Sequence, residues 1–450
     1  MTGRILRLEL RRSAAVGIGA LSLLVGGGLL LSFPEGFAGR WMQLAVFARS
    51  LLLVTWPLAL AGGAWLGRRE ARSRVGELFA STPRPRAQRI LPTAAALAIT
   101  VVVAYLLVFV SGIPWVVPTA AYFPAGTLLV AGVGAVAMVT AAWLGLAAGR
   151  ALPWLVTAPA LAVVGVAVAG LLPDWLSVDA EINGGEAPKA LLLSPVYSGG
   201  ADDFEVLLPR VSLIQTLWLV AVAVTGLLLF AAVRRRSLVL ATLPAVLAAA
   251  VALPLLPSGG YPAAAKVDPD AVALVCDDDG PQVCVTRVHA ATLPDIVGPG
   301  RQVLGLLAAK LPDAPTRAVE SWRGPQEPAV RHSRDTILFY PPSITSAGRA
   351  EPDDYLRTYL AEAAWRQECT ERSGPVEPDL GRAVAAAWLT GQPPASQDWW
   401  SDDDRTRANA LYRTLTALPP AEQRRRMSAA REAALDCRDD ALLPILSGAR

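Results

Sequence analysis

Seven apolar stretches, each long enough to cross a bilayer and all lying within the first 256 positions, constrain this chain more than any other feature. A hydrocarbon core ~30 Å thick offers the backbone no water, so a crossing segment must be a helix of roughly 20 residues that satisfies its own N–H and C=O groups. The spans fall near 13–32, 45–66, 92–113, 125–148, 153–172, 212–232 and 237–256. The seventh is parted from the sixth by little more than Arg234, Arg235 and Arg236, which leaves only a tight turn. Arg4, Arg7, Arg11 and Arg12 ahead of the first run are also the pattern of a signal peptide. That run is long, lacks a small-x-small cleavage site and is followed by further spans, so it reads as a retained helix. Gly145 and Gly149 make a small-xxx-small pair, which predicts close packing of the fourth span on a neighbour.

Arginine placement sets an expected orientation, because cytoplasmic loops carry an excess of Lys and Arg. One set of alternate segments holds the N-terminal arginines, seven arginines between 67 and 91, Arg150, and Arg234 to Arg236; the other holds only Arg40, Lys189 and Arg210. The first set is expected inside, which makes 173–210, with its seven carboxylates, an acidic outer loop. Seven spans then carry the C-terminal tail out. A net charge of +3 concentrated in short inter-span segments offers no nucleic-acid-binding face, so no nucleic acid is expected as partner.

The four cysteines test that orientation independently. Cys276, Cys284, Cys369 and Cys437 all lie in the tail, and an even set in an oxidising compartment reads as two disulfides. Cys276 and Cys284 flank Asp277-Asp278-Asp279-Gly280-Pro281, with apolar β-type residues on both sides, which predicts a hairpin stapled across its strands. Cys369 and Cys437 then pair by elimination. Four free thiols or a metal site are the alternatives, but no Cys-x-x-Cys pair occurs and no metal is expected. Two domains follow, a transmembrane domain over 1–256 and an extracytoplasmic disulfide-bonded domain over 257–450. The fold class is a membrane α-helical bundle of about seven helices plus a C-terminal extracytoplasmic α+β domain. In the tail, strands are expected near 271–276, 282–288 and 335–340, and helices near 299–311, 353–369, 377–390, 402–417 and 420–435.

Between the second and third spans lies the most basic stretch of the membrane half. A short helix over 69–80, closed by Ser81-Thr82-Pro83, is expected there, lying along the membrane surface. Anionic membrane lipid accounts for its arginines alone. Its order is more specific: Glu70, Arg74, Gly76-Glu77-Leu78-Phe79-Ala80-Ser81-Thr82-Pro83, then Arg86 leading straight into a span. This resembles the loop between the second and third helices of ABC-2 type transporter permeases. In that family the loop holds the coupling helix that docks on the ATPase. The resemblance implies that Glu77, Leu78, Phe79, Thr82, Pro83 and Arg86 are docking positions, and that the partners are a separate ABC ATPase subunit and either a second copy or a sister permease. Arg4-Ile-Leu-Arg-Leu-Glu-Leu-Arg-Arg12 is similar to the amphipathic N-terminal helix of such permeases. The resemblance covers roughly 1–235 and departs from the family in the seventh span, since six spans with both ends inside are usual. No Gly-x-x-x-x-Gly-Lys-Ser/Thr phosphate loop occurs, so any ATPase is a separate polypeptide.

Polar residues inside spans are candidates for a pathway. Arg49, near the outer end of the second span, and Gln215, near the outer end of the sixth beside Thr216, are the two named here; Arg49 is close enough to the interface to snorkel. The tail reads poorly as an enzyme. Ala361-Glu362-Ala363-Ala364-Trp365 is distantly similar to the His-Glu-x-x-His helix of zinc metallopeptidases, and Asp379 to Leu389 to their next helix. Glu362 keeps the general-base position, but Ala361 and Trp365 stand where zinc ligands would be, and Leu380 where an acidic ligand would. His289 and His332 have no metal-ligand spacing, and no Gly-x-Ser-x-Gly elbow occurs in the tail. The expectation is therefore a transporter subunit in the cell membrane that is not itself an enzyme and needs no cofactor. A membrane-anchored sensor or assembly protein, whose tail binds an envelope partner without transport, is the alternative, and a membrane hydrolase ranks below both.

Overall fold

The computed structural model describes residues 14–69, 86–196, 202–322, 334–340, 343–351, 353–365, 377–395 and 400–448. It divides into two compact units, Met1–Asp268 and Pro269–Arg450, each with its own apolar core.

The first unit is built of helices α1 (Ala14–Leu31), α2 (Trp41–Ser50), α3 (Leu52–Gly67), α4 (Arg86–Val116), α5 (Gly126–Ala151), α6 (Thr157–Val166), α7 (Leu172–Ile182), α8 (Pro209–Ala231) and α9 (Arg235–Leu255). Among the described residues six helices are long and apolar enough to cross a membrane, with α6 and α7 counted as one, and seven if the bent pair α2–α3 is one span, as suits a multi-pass membrane protein. Large apolar side chains line the outside of the bundle, Leu24, Val163 and Val239 among them. In water such a surface would aggregate; in lipid it is the ordinary solvent-facing side.

The second span is bent by 45° between α2 and α3, which a hydropathy pattern cannot show. The fifth runs past its expected end at 172, because the ladder widens into a π-helical turn over Ala167–Leu171 and resumes as α7. Pro173 has no N–H for the carbonyl of Ala169 four residues earlier, and the Ser194 hydroxyl donates to that oxygen instead, at 3.0 Å. A similar repair occurs at Pro244 in α9, where the amide of Ala245 donates to the Thr225 hydroxyl on α8 at 3.1 Å.

Glycines decide the tightest helix crossing, that of α3 on α5. A Cβ on Gly149 would lie 2.0 Å from the Ala64 carbonyl oxygen, and one on Gly145 would lie 2.1 Å from that of Leu60. From the other side, Gly63 and Gly67 meet the carbonyls of Ala142 and Leu146 as closely. The expected small-xxx-small pair thus packs against a second one, backbone on backbone. A two-stranded antiparallel ribbon, β1 (Glu205–Leu207) with β2 (Ala265–Val267), closes this unit.

The second unit opens with a short helix, α10 (Pro269–Val272), followed by β3 (Leu274–Asp277) and β4 (Gln282–Thr286). The strand expected from 271 therefore starts later: Pro269 opens a helical turn that occupies its first residues. The hairpin forms as expected, with Cys276 opposite Cys284 and a disulfide between them. Cys437 is disulfide-bonded too, and Cys369 lies outside the described residues. Next come α11 (Leu293–Lys310), β5 (Arg317–Glu320) and β6 (Thr336–Phe339), giving a sheet ordered β3-β4-β5-β6 in which β4, β5 and β6 are parallel. The strand β5 escaped the sequence reading because its four residues alternate around charged ends. Helices α12 (Asp353–Ala363), α13 (Glu377–Thr390), α14 (Asp402–Thr416), α15 (Pro420–Leu435) and α16 (Leu442–Ser447) complete the unit. The α+β class of the tail follows directly from these elements. Helix α12 ends at Ala363, short of the expected 369, and α16 was not foreseen.

Candidate functional site

The two polar residues singled out in the spans meet. Arg49 sits in the last turn of α2, where the carbonyl end of a helix favours a cation. Its side chain is fully buried rather than snorkelling outward. Nε donates to the Pro195 carbonyl at 3.1 Å and Nη2 to Gln215 Oε1 at 2.9 Å. Acceptors on the loop and on α8 hold it there in place of the expected snorkel. Gln215, buried on α8, donates through Nε2 to the Leu192 carbonyl at 2.7 Å.

Both side chains thereby grip one loop, the short 3-10 turn Lys189–Leu193 and the residues after it. Trp218 Nε1 donates to Leu193 O at 3.1 Å, and the Tyr261 hydroxyl to Val196 O at 3.3 Å. With Ser194 bonded to Ala169, five side chains hold the loop, coming from α2, α8, the loop itself and the segment after α9. The arrangement sets the Arg49 guanidinium on the Pro195 carbonyl and the Gln215 amide oxygen, and so ties the bend of the second span to α8.

On the inner side of the bend, Ala48, Leu51 and Thr55 border a gap closed by Ser22, Tyr105, Val108 and Met138. It leaves no room for a water-sized sphere. The hydroxyls of Tyr105 and Ser22 are buried there without a hydrogen-bond partner among the described residues, at a cost of about 1–3 kcal/mol each.

The docking positions read from the basic stretch are placed less fully. Glu77, Leu78, Phe79, Thr82 and Pro83, with the helix expected over 69–80, lie outside the described residues. Arg86 is the first residue of α4.

In the tail, the stretch resembling a metallopeptidase helix is packed away from solvent. Ala361 and Trp365 are fully buried, Trp365 lies beyond the end of α12, and its Nε1 donates to the Met427 carbonyl at 3.5 Å. Two residues at helical spacing face one another's side only while the helix persists. Among the described residues no three His, Cys, Asp or Glu side chains converge as a metal would require.

A different tail cluster escaped the sequence reading. Glu320 ends β5 and Thr286 ends the neighbouring parallel strand β4, so their side chains emerge together. One Glu320 oxygen accepts from the Thr286 amide at 2.7 Å and from its hydroxyl at 3.0 Å. The other lies 2.6 Å from His289 Nδ1, and all three residues are buried. The carboxylate orients the imidazole and caps the ends of two strands. Sequence offered no hint of Glu320, since its partner in space is 31 positions away.

No family model, curated protein or solved structure matches the chain.

Proposed function

We propose that this chain is the transmembrane subunit of an ABC-2-like transporter, moving a substrate across the cell membrane under the drive of a separate cytoplasmic ATPase. The observation that carries the reading is the segment Gly76-Glu77-Leu78-Phe79-Ala80-Ser81-Thr82-Pro83, leading through Arg86 into α4, with its resemblance to the coupling loop of such permeases. It occupies the turn between two apolar helices, where a docking element must lie to reach a soluble partner and still pull on the spans. The bent second span, held to α8 through Arg49 and Gln215, supports the reading further. It joins the proposed docking loop at one end and carries a buried polar cluster at its bend, so displacement of the loop is felt at the cluster. In this reading the arginine-rich ends are cytoplasmic and the disulfide-bonded tail is extracytoplasmic. The subunit works as a dimer or beside a sister permease.

The test is purification of the full chain from native membranes in mild detergent, with identification of bound proteins by mass spectrometry. A phosphate-loop ATPase is expected in near-stoichiometric amount. Glu77→Arg and Arg86→Glu are expected to release it by at least ten-fold while the chain keeps its elution profile. Reproducible recovery of intact chain with no ATPase refutes the proposal and favours the sensor or assembly reading.

A further inference from the structure

Where α8 turns into α9 the two helices part around an open cleft of about 460 Å³, lined by Leu228, Ala231, Val233, Arg234, Ser237 and Leu240, with Ala232 and Ala241. Its walls are apolar except at one end. There Arg234 and Ser237 enter the lining, and Arg235 and Arg236 stand exposed beside them. None of the three guanidiniums makes an ion pair among the described residues. Along the chain, no Asp or Glu occurs between Glu205 and Asp268. Arg150 adds a fourth cation nearby, its guanidinium donating to the Phe230 carbonyl at the end of α8.

The place of the cleft is as informative as its composition. Both helices that form it are apolar enough to cross a membrane, and the turn between them spans only residues 232–234. The cleft therefore starts at the polar boundary and runs into the hydrocarbon. Leu228, Val233 and Leu240 expose large apolar areas on its walls, and Val239 does so next to it. A ligand for it must carry a long apolar body below and a net negative charge at the boundary above.

We propose that this cleft binds an anionic phospholipid, its acyl chain lying between α8 and α9 and its phosphate held by Arg234, Arg235 and Arg236. A zwitterionic lipid offers the same chains and phosphate, but its own ammonium group competes with the arginines. A soluble phosphate offers the charge without anything to fill the apolar walls. Basic clusters at a bilayer boundary gain roughly five-fold in affinity for anionic lipid per arginine. This site is independent of coupling to any ATPase.

The test uses the full chain purified in neutral detergent and titrated with dioleoyl phosphatidylglycerol or dioleoyl phosphatidylcholine, with bound lipid counted by native mass spectrometry. One phosphatidylglycerol is expected to be retained at least ten-fold more tightly than phosphatidylcholine. The triple change Arg234→Gln, Arg235→Gln and Arg236→Gln is expected to erase that preference, and the triple change to Lys to restore most of it. Ala232→Trp, which fills the cleft and keeps the arginines, is expected to lower retention of both lipids. Arg413→Gln with Arg424→Gln in the tail serves as the charge control and is expected to change nothing. Should the Gln variant fail to fold, Ala232→Trp and the single Arg234→Gln carry the decision. Equal retention of the two lipids, an undiminished preference in the Gln variant, or displacement of the lipid by equimolar glycerol phosphate each overturns the proposal.

Discussion

Replacing Gln215 by Leu tests whether the buried guanidinium of Arg49 is held as the geometry indicates. The change keeps apolar volume in α8 but removes the Oε1 acceptor of Arg49 Nη2 and the Nε2 donor to Leu192 O, contacts of 2.9 and 2.7 Å. Loss of a hydrogen bond to a charged group costs about 1.5–3 kcal/mol, and a buried carbonyl left unpaired about 1–3 kcal/mol more. The sum for Gln215→Leu is about 2.5–6 kcal/mol, which brackets the range for breaking one side of a buried charged contact. Arg49→Met removes the charge itself and leaves the Pro195 carbonyl and Gln215 Oε1 without this donor, at about 2–6 kcal/mol. The Arg49–Gln215 bond is counted in both figures, so the double variant should be milder than their sum by about 2 kcal/mol. Titration of the purified chain with SDS in mixed micelles, followed by far-ultraviolet circular dichroism, gives the three free energies. A Gln215→Leu chain within about 0.5 kcal/mol of the unmodified one, or strict additivity in the double variant, refutes the coupling.

Two further outcomes are expected. Gly149→Val places a side chain against the backbone of Ala64, whose carbonyl oxygen would be only 2.0 Å from its Cβ, so α3 and α5 must part; a loss of about 3 kcal/mol is expected in the same titration. Gly132→Ala on the same helix has nothing within 4 Å and is expected to be neutral or up to about 1 kcal/mol stabilising, and an equal loss in both would contradict the crossing. In the tail, hydrogen bonds from Arg425 and Arg426 to Glu422 hold its carboxyl down at about 2, against an ordinary 4.5. A depressed carboxyl stabilises the folded form above its unfolded value and ceases to do so as the pH falls from about 4.5 to about 2. The melting temperature of the chain should therefore fall less across that window in Glu422→Gln, and parallel profiles would show that the contact carries nothing.

The spans were legible because the physics that selects them is local. Twenty consecutive side chains either pay for transfer into lipid or do not, so the runs near 13–32 and 237–256 emerge as α1 and α9 without any knowledge of neighbours. The hairpin at Cys276 and Cys284 was legible for the same reason, since turn residues and strand residues sit within a dozen positions. The 45° bend at Leu51 was not, because Leu51 is as apolar as the residues around it. The extension of the fifth span beyond 172 was missed, and a hydroxyl from Ser194 serves the carbonyl that Pro173 leaves free.

For the candidate site, sequence supplied the members and not the meeting. Arg49 and Gln215 stood out as polar residues in apolar runs, yet 166 positions separate them. Glu320 did not stand out at all, because an acidic residue at a strand end is ordinary until a histidine and a threonine are seen to converge on it. The cleft between α8 and α9 likewise combines arginines that sequence read only as an orientation signal with a space that only packing creates. What the sequence determined alone is which segments enter lipid and which carry charge, since transfer free energy depends on composition along the chain. Only the tertiary structure decided which buried polar groups share partners, because hydrogen bonds and close packing act over a few ångströms in space and take no account of distance along the chain.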